Sequence, residues 1–476
     1  MTLTPGYKAC CYANNSDLQE RLMLEVVVLA AGRGTRMRSR LPKVLHTLAG
    51  QPLLTHVLNT ARQLAPARLH VVVGHGADLV KQSVAAPDVS FHIQSEQLGT
   101  GHAVLQALPS CAPESTVLVL FGDVPLIDAA LLKQVAASAS QGPVVLAAKL
   151  QDPTGYGRIL RSATGNFKAV VEQKDATDEQ LRVTEVNTGV IAAPAIRLKD
   201  LLHRVGNDNQ QGEYYLPDVL ALAVTDGDPV SVVTTDDALA IQGINDRLQL
   251  EQLERLYQRR YAEQLMRDGV ALRDRQRIDI RGTLRCGQDV VIDINTVIEG
   301  EVVLDDGVTV GAHCVLRNCH IAAGTVVDAY SYIDGATIEE NCRIGPFARI
   351  RPGTQLASGA RIGNFVETKN SRFGIGSKAN HLAYIGDSDV GDACNIGAGT
   401  ITCNYDGVNK HRTQLGDGVF VGSNSTLVAP LQLADGCFVG AGSTVTDNAD
   451  AETLVIGRAR QRAIRGWQRP VSNKDK

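Results

Sequence analysis

The 476-residue sequence predicts two folds in succession, an α/β doubly wound, Rossmann-like domain and then a left-handed parallel β-helix of hexapeptide repeats. The first part of the chain alternates short apolar runs with helical stretches, which is typical of a parallel sheet covered on both faces. The second part places an aliphatic residue at every sixth position. Aromatic residues make up only 4% of the chain, which suits narrow coils filled by Ile, Val and Leu.

Four apolar runs define the strands expected in the first domain, at residues 24–30, 68–74, 116–122 and 143–149. A doubly wound sheet binds its ligand at the carboxyl ends of the strands, so functional residues are expected directly after these runs.

The six-residue repeat covers most of the second half of the chain. Its aliphatic positions are Ile298, Leu304, Val310 and Leu316; Ile321, Val327 and Ile333; Ile338, Ile344, Ile350, Leu356 and Ile362; and Leu415, Val421, Leu427, Leu433, Val439 and Val445. The period is lost between Ile396 and Leu415, where residues 402–413 form an expected ejected loop. Solenoids often place function on such insertions.

These patterns divide the chain into four segments. They are a polar extension at 1–22, the α/β domain at 23–246, a linker helix at 247–268, and the β-helix with a C-terminal tail at 269–476. We expect no function in residues 1–22, since Met23 directly precedes the first strand.

Composition excludes several classes of protein. The net charge is −4 without blocks of like charge, so no nucleic-acid partner is predicted. No run of 18 apolar residues predicts a membrane span. The ten cysteines show no zinc-like spacing and are expected to be reduced thiols of a cytoplasmic protein.

A glycine-rich turn follows the first strand in the pattern L-A-A-G-x-G-T-R-M, with Pro42 and Lys43 shortly after it. Glycines allow backbone N–H groups to approach phosphate oxygens, and Arg36 and Lys43 can neutralise a triphosphate. The pattern has neither the Walker ending nor the Rossmann spacing. It resembles the sugar-nucleotide pyrophosphorylase family instead.

This resemblance implies a set of nucleotide and sugar contacts. Gln94, Gln97, Gly99 and Thr100 would read uracil, while Gly157, Glu172 and Asn187 would contact the sugar. Asp123 and Asn245 would hold Mg²⁺ as hard oxygen ligands. The complete set expected to bind substrate is Leu29, Ala30, Ala31, Gly32, Arg36, Lys43, Gln94, Gln97, Gly99, Thr100, Phe121, Gly122, Asp123, Gly157, Glu172, Asn187 and Asn245. Phe121 stands where the family usually has Tyr.

Three motifs in the β-helix carry chemistry, at residues 346–353, 363–370 and 378–387. They bring cations and an imidazole, and they are similar to those of the bifunctional uridyltransferase/acetyltransferase family, a resemblance that spans about residues 24–460. Acetyl transfer to an amine needs a base near neutral pH, which predicts His381 as the catalytic base. Arg351 and Lys369 are expected to hold the sugar phosphate, and Tyr384 and Asn395 to orient the amino sugar.

The same resemblance implies further partners. The expected acetyl-CoA contacts are Ala398, Asn404, Tyr405, Ser423, Ala441 and Arg458. The substrates would be glucosamine-1-phosphate, acetyl-CoA, UTP and N-acetylglucosamine-1-phosphate. The final product would be UDP-N-acetylglucosamine, a precursor of peptidoglycan and lipopolysaccharide. The protein would assemble as a homotrimer.

Two other functions are compatible with this composition. The chain could be a single-function sugar-1-phosphate nucleotidyltransferase whose β-helix only assembles or regulates it. It could also be a trimerising scaffold with an inactive nucleotide fold. His381, Lys369 and the interrupted repeat argue against the first alternative, and Lys43, Asp123 and Asn245 argue against the second.

Overall fold

The computed structural model describes residues 23–470. The predicted extension at 1–22 and residues 471–476 of the predicted tail lie outside the described residues. The chain divides into two compact units, with the division between Glu254 and Arg255. No helix within residues 23–470 is long and apolar enough to cross a membrane.

The first unit is a mixed sheet with helices on both faces. Its strands are β1 (Leu24–Ala30), β2 (Thr47–Leu48), β3 (Gln51–Pro52), β4 (Arg68–Val73), β5 (Val89–Ile93), β6 (Thr116–Phe121), β7 (Val144–Lys149), β8 (Arg158–Arg161), β9 (Phe167–Val171), β10 (Glu185–Pro194) and β11 (Ser231–Thr235). Its helices are α1 (Leu53–Arg62), α2 (Ala77–Val84), α3 (Thr100–Ala107), α4 (Ala129–Ser138), α5 (Asp178–Leu181), α6 (Ala195–Arg204) and α7 (Asp218–Asp226). Short 3-10 helices occur at Thr35–Met37, Lys43–Leu45, Leu108–Ser110 and Ala139–Gln141.

The main sheet runs in the order β11-β7-β10-β6-β1-β4-β5, and β8 and β9 extend it beside β10. The four predicted strands are present as β1, β4, β6 and β7. The sequence predicts a parallel sheet, but β10 runs antiparallel to both of its neighbours, β6 and β7. The alternation of apolar runs and helices does not indicate strand direction, so the sequence pattern could not predict this reversal.

Strand β1 shows why the sheet is buried on both sides. Val26 and Val28 face a core that includes residues of α1, α2 and α4. Val27 and Leu29 face the opposite core, which includes residues of α3, α6 and α7. A strand buried on both faces reads as a continuous apolar run. The glycine-rich turn thus begins where β1, an interior strand of the sheet, ends.

Helix α8 (Arg247–Arg267) contains the division between the two units. Its second half, within the second unit, covers the first coil of the β-helix. The buried Gln258 side chain donates to the carbonyl of Ile280 and accepts from its N–H, both at 2.8 Å. These bonds satisfy an edge strand that would otherwise be open to pairing.

The second unit is a parallel β-helix. Its strands are β12 (Ala271–Leu272), β13 (Ile278–Cys286), β14 (Val291–Ile292), β15 (Thr296–Leu304), β16 (Thr309–Val310), β17 (Val315–Ile321), β18 (Val326–Val327), β19 (Tyr332–Asp334), β20 (Thr337–Ile338), β21 (Arg343–Ile344), β22 (Arg349–Ile350), β23 (Gln355–Leu356), β24 (Arg361–Asn364), β25 (Glu367–Lys369), β26 (Arg372–Phe373), β27 (Lys378–His381), β28 (Tyr384–Gly386), β29 (Ser388–Val390), β30 (Asn395–Ile396), β31 (Ile401–Cys403), β32 (Thr413–Leu415), β33 (Phe420–Val421), β34 (Thr426–Val428), β35 (Leu431–Leu433), β36 (Phe438–Val439), β37 (Thr444–Val445) and β38 (Leu454–Val455).

The hexapeptide positions form the core of this unit, as predicted, since all of them are buried in one cluster. Coils stack in parallel register, so that Ile298, Leu316 and Ile333 lie above one another. Register partners in neighbouring coils are mostly 17 or 18 residues apart, but the separation rises to 25 where β29, β30 and β31 pair with β32, β33 and β34. This larger step accommodates the ejected loop, which leaves the coil after β31 and returns at β32.

Candidate functional site

A cavity of about 200 Å³ opens at the carboxyl ends of β1 and β6 in the first unit. Eleven of the residues predicted to bind nucleotide line it: Leu29, Ala30, Ala31, Gly32, Lys43, Gln94, Gln97, Gly99, Thr100, Phe121 and Asp123. Val44, Ala103 and Glu213 complete the lining and were not predicted. Gly122, from the predicted set, donates its N–H to the carbonyl of Leu29 and so holds β6 against β1.

The conformation of the glycine-rich turn depends on Gly34. Its φ of 59° lies in the left-handed region, and a Cβ there would lie 2.6 Å from Cβ of Lys43. Any side chain would therefore displace Lys43 from the turn. At Gly32, by contrast, a Cβ would meet no other atom within 4 Å, because this residue faces open space beside the cavity.

The cationic and acidic groups of this site converge on one another. The Lys43 ammonium forms an ion pair with the Asp123 carboxylate, and both side chains are 16% exposed. Asn245 Oδ1 accepts from Lys43 Nζ at 3.2 Å and from Arg36 Nη2 at 2.8 Å. Since Asp123 and Asn245 share one cation here, their oxygens are close enough to hold a divalent cation together.

The predicted base-reading segment is held rigidly. Gln94 is 3% exposed and donates to the carbonyl of Gly99 at 3.0 Å. Gln97 donates to the carbonyl of Gln94 at 3.2 Å, and the Thr100 hydroxyl accepts from the N–H of Leu216 at 3.0 Å. The segment therefore presents fixed amide and backbone groups to the cavity.

The three predicted sugar contacts lie together, but outside the 200 Å³ cavity. Asn187 donates its N–H to the carbonyl of Gly157 at 2.8 Å, and a Cβ on Gly157 would lie 2.9 Å from Oε1 of Glu172. Glu172 lines a separate cavity of about 350 Å³ with Asp175 and Asp218. Burial, followed by these two carboxylates, raises the pKa of Glu172. A carboxyl in such a place can exchange hydrogen bonds with sugar hydroxyls.

Phe121 packs against the backbone where the family usually has a tyrosine. Gly189 has a φ of 85°, and a Cβ there would lie 2.5 Å from Cε2 of the Phe121 ring. The ring thus occupies the space that a side chain at 189 would need. The missing hydroxyl removes a polar group from the wall of the cavity.

In the second unit, the imidazole of His381 is fixed by the coil below it. Residues Asn364 and His381 are paired in register, and Nδ1 of His381 lies 2.7 Å from Oδ1 of Asn364. An amide oxygen can only accept, so Nδ1 carries the proton and Nε2 keeps its lone pair. His381 is exposed, and this tautomer suits a general base.

Several predicted acetyl-CoA contacts form a column with His381 along the β-helix. His381, Ala398, Ser423 and Ala441 each lie two residues beyond the paired core positions of successive coils. Cδ of Arg458 lies 3.7 Å from a Cβ placed on Gly442, beside the end of the column. Register thus brings together residues that the sequence spreads over almost eighty positions.

A cationic corner surrounds Asp387 on another edge of the same coils. Its carboxylate, in a residue 5% exposed, accepts from Asn370 at 2.6 Å and from Asn404, and it lies 3.6 Å from Lys369 Nζ. A hydrogen bond to Lys410, and then Asp387, raise the pKa of Lys369, whereas Lys369 lowers the pKa of Lys410. The loop bearing Asn404 and Lys410 is therefore folded onto the coil.

The remaining predicted residues occupy different surroundings. Arg351 forms an ion pair with Glu367 at 2.7 Å, and the Tyr384 ring packs against Gly386. Asn395 lies in β30, in the same sheet as the strand that ends at His381. Tyr405 is 60% exposed and donates its hydroxyl to a carbonyl of its own loop, so the structure does not bring its side chain to the column.

Besides Val44, Ala103 and Glu213 in the cavity lining, three residues were given no role from sequence: Asn364 under His381, and Asp387 and Lys410 at the cationic corner. Coil spacing could have indicated Asn364 and Asp387, since they lie 17 residues, one turn of the β-helix, from His381 and Asn370 respectively. Glu213 and Lys410 depend on contacts between segments with no shared period.

Three family descriptions match parts of the chain. Residues 26–189 match the MobA-like NTP transferase domain, 280–369 the GMPPB C-terminal domain, and 412–447 the hexapeptide repeat of succinyl-transferase. A solved UDP-glucose pyrophosphorylase complexed with UDP-glucose aligns with 49% of this chain and 98% of that one, with a TM-score of 0.43 and 16% identity.

Full-length relatives are much closer. The Bifunctional protein GlmU of Burkholderia thailandensis is 54% identical over 452 residues, which cover 95% of this chain and all of the relative. The GlmU protein of Alkalilimnicola ehrlichii is also 54% identical, over 95% of this chain and 98% of the relative. That of Pseudomonas entomophila is 53% identical over 94% and 99%. With such identity across both of its units, the chain belongs to the family of bifunctional GlmU proteins.

Proposed function

We propose that the chain catalyses two successive steps of UDP-N-acetylglucosamine synthesis in the cytoplasm. Acetyl-CoA first acetylates glucosamine-1-phosphate, and the N-acetylglucosamine-1-phosphate formed then reacts with UTP. The observation that carries this proposal is the presence of two separate constellations, one in each unit, within a chain 54% identical to bifunctional relatives over 95% of its length. We assign uridylyl transfer to residues 23–246 and acetyl transfer to residues 269–476.

Uridylyl transfer is attack by the sugar phosphate on the α-phosphorus of UTP, with pyrophosphate leaving. No covalent enzyme intermediate is required, so the residues act by alignment and charge. Lys43 and Arg36 would bind the triphosphate, and Gln94 and Gln97 would read uracil. Asp123 and Asn245 supply the oxygen ligands that suit Mg²⁺. When bound, Mg²⁺ would neutralise phosphate charge.

Acetyl transfer needs an unprotonated amine. Nε2 of His381 would take a proton from the ammonium of glucosamine-1-phosphate, while Asn364 keeps the ring in the required tautomer. The amine then attacks the thioester carbonyl and the C–S bond breaks; the nitrogen loses its second proton as the amide forms, the departing CoA thiolate takes up one of the two protons, and the other passes to solvent. Arg351 and Lys369 would hold the sugar phosphate. Acetyl-CoA would lie along the column that begins at Ala398.

We also propose a homotrimer in which neighbouring chains complete the acetyl-transfer site. Strand β28 (Tyr384–Gly386) separates the corner after His381 from the corner at Asp387. At 3.3 Å per residue, the two corners of one chain lie roughly 10–15 Å apart. Coexpression of His381→Ala with Lys369→Ala would test this, because mixed trimers regain acetyl transfer only if a site combines residues of two chains.

The decisive experiment is mass spectrometry of the products formed from glucosamine-1-phosphate, acetyl-CoA, UTP and Mg²⁺. The wild type should form UDP-N-acetylglucosamine. His381→Ala should lose roughly 10²–10⁴-fold in acetyl transfer but still couple added N-acetylglucosamine-1-phosphate to UTP, whereas Asp123→Ala should show the reverse. His320→Ala, an exposed histidine on another coil, serves as the matched control. Consumption of UTP with another sugar phosphate, and no acetylated sugar, would favour the single-function nucleotidyltransferase.

A further inference from the structure

The first unit buries a cluster of metal-ligating side chains that neither proposed reaction uses. Glu25 lies near the start of β1, His70 in the adjacent β4, and Cys111 directly after a 3-10 helix. One carboxylate oxygen, one ring nitrogen and the sulfur all lie within 4.8 Å of one another. The three residues are 5%, 0% and 9% exposed. The cluster therefore lies inside the protein and not on a solvated surface.

Neighbouring groups orient these ligand atoms toward one point. Oε1 of Glu25 accepts from the N–H of Ala112 at 3.0 Å, which leaves Oε2 facing Nε2 of His70 at 2.7 Å. On the other side of the ring, Nδ1 of His70 lies 2.9 Å from Nε2 of His92. If Nδ1 donates to His92, the lone pair of Nε2 points at Glu25. Histidines that bind metals commonly have such a partner for their second nitrogen.

A carboxylate oxygen and a ring nitrogen 2.7 Å apart have the geometry of a hydrogen bond, and a metal ion held by both would take the place of the shared proton. Without a metal, a chain of protons from His92 through His70 to Glu25 satisfies the contacts. The thiol of Cys111 joins that network through a hydrogen bond with Glu25 and a 3.7 Å contact with the carbonyl of Ala107. Once its proton is released, the sulfur adds a ligand that a soft or borderline metal prefers.

We propose that Glu25 Oε2, His70 Nε2 and the Cys111 thiolate bind a divalent transition-metal ion, foremost Zn²⁺, with water as the fourth ligand. The set of oxygen, nitrogen and sulfur donors is one that zinc accepts in tetrahedral geometry. The two anionic ligands neutralise the ion, so the buried site carries no net charge. With zinc bonds of 2.0–2.3 Å, tetrahedral ligands lie roughly 3.3–3.7 Å apart, so metal binding requires Oε2 of Glu25 and Nε2 of His70 to move apart from 2.7 Å and the sulfur of Cys111, now within 4.8 Å of both, to approach them.

The role of this site is structural. Glu25 and Gly32 are seven residues apart along β1 and the following turn, a distance of roughly 20 Å in extended chain, so the metal is far from the nucleotide cavity. It ties β1 and β4 to the segment that leads into β6. Metal bound only by the folded protein stabilises it.

Cobalt substitution tests the site, since a thiolate bound to Co²⁺ gives an ultraviolet charge-transfer band that oxygen ligands do not. All proteins carry Cys10→Ser and Cys11→Ser, which removes two adjacent thiols outside the described residues. Metal-free protein should gain this band with one Co²⁺, and Cys111→Ser should lose it. Cys437→Ser should keep it, because that thiol is also buried but belongs to the second unit, where it contacts the carbonyl of Thr453 at 3.4 Å. His92→Gln should weaken binding roughly 10–100-fold.

Zinc should also raise the melting temperature of the first unit, by roughly 5–10 °C at one hundred times its Kd, and Cys111→Ser should abolish the shift. Metal analysis should find one Zn²⁺ per chain that stays bound in Asp123→Ala, a variant expected to lose any metal held at Asp123 and Asn245. The proposal is overturned if cobalt gives only bands of oxygen ligands, if Cys111→Ser keeps the charge-transfer band, or if zinc leaves the melting temperature unchanged.

Discussion

Replacement of Asp387 by Asn provides a stringent test of the cationic corner. The substitution keeps the size of the side chain, and Asn tolerates the left-handed backbone that Asp387 adopts at φ 49°. Both carboxylate oxygens receive donors, from Asn370 at 2.6 Å and from Asn404. The new amide must therefore turn its NH₂ group toward one of these donors, and the charge facing Lys369 is lost.

The expected cost follows from these contacts. Hydrogen bonds to a buried charge contribute about 1.5–3 kcal/mol, and an unsatisfied donor costs a similar amount. We expect a loss of about 2–3 kcal/mol, or roughly 4–12 °C in the melting temperature of the second unit. Acetyl transfer should fall as well, because the loop that carries Asn404 loses its contact with the coil, while uridylyl transfer should not change.

Differential scanning calorimetry at pH 7 measures this effect. The unfolding transition of the second unit is identified as the one whose temperature UTP and Mg²⁺ do not change. Asp389→Asn is the matched control, since Asp389 pairs with Arg412 at 2.6 Å but its side chain is 43% exposed. Exposed pairs contribute about 0–1 kcal/mol. Equal shifts for the two variants would refute the reasoning from burial.

The pH dependence of the Asp387 effect has a defined sign. Burial raises the pKa of this carboxyl, but Asn370, Asn404 and Lys369 more than offset it, so the native pKa lies below the usual value. The stabilisation is thus complete above the unfolded pKa of about 3.9 and is lost as the pH falls through the native pKa. The difference between the wild type and Asp387→Asn should shrink over that acidic range.

Three further predictions concern single residues. Gly189→Ala should destabilise the first unit by about 1–3 kcal/mol more than Gly165→Ala, because the two glycines have φ of 85° and 84° but only Gly189 lies against Phe121; equal losses in urea unfolding would contradict this. Burial above all raises the pKa of Asp218 to about 6, so the stability of the wild type should fall as the pH rises from about 4 to 6, and Asp218→Asn should flatten that profile. Lys410→Met should raise KM for glucosamine-1-phosphate several-fold with little change in kcat, because Lys410 lies against Lys369, which would hold the sugar phosphate; an unchanged KM would exclude a contribution of Lys410 to phosphate binding.

Some features of the molecule follow from local sequence. The buried strands of the first unit were predictable because a strand covered on both faces is a continuous apolar run, as in β1. The β-helix core was predictable because each coil repeats the same steric requirement, from Ile298 to Val445. Glycines that admit a close approach, such as Gly34, are also visible because they fall within a motif.

Only tertiary structure decided which distant groups meet. The antiparallel β10 carries Asn187 to Gly157, and the return of the ejected loop places Lys410 beside Lys369. The proposed metal ligands come from three separate segments, so their spacing along the chain, 45 residues between Glu25 and His70, resembles no metal-binding motif. A sequence determines periodic burial because that depends on neighbours along the chain. Contacts between charged and polar groups on different elements depend on register and strand direction, which the folded chain alone sets.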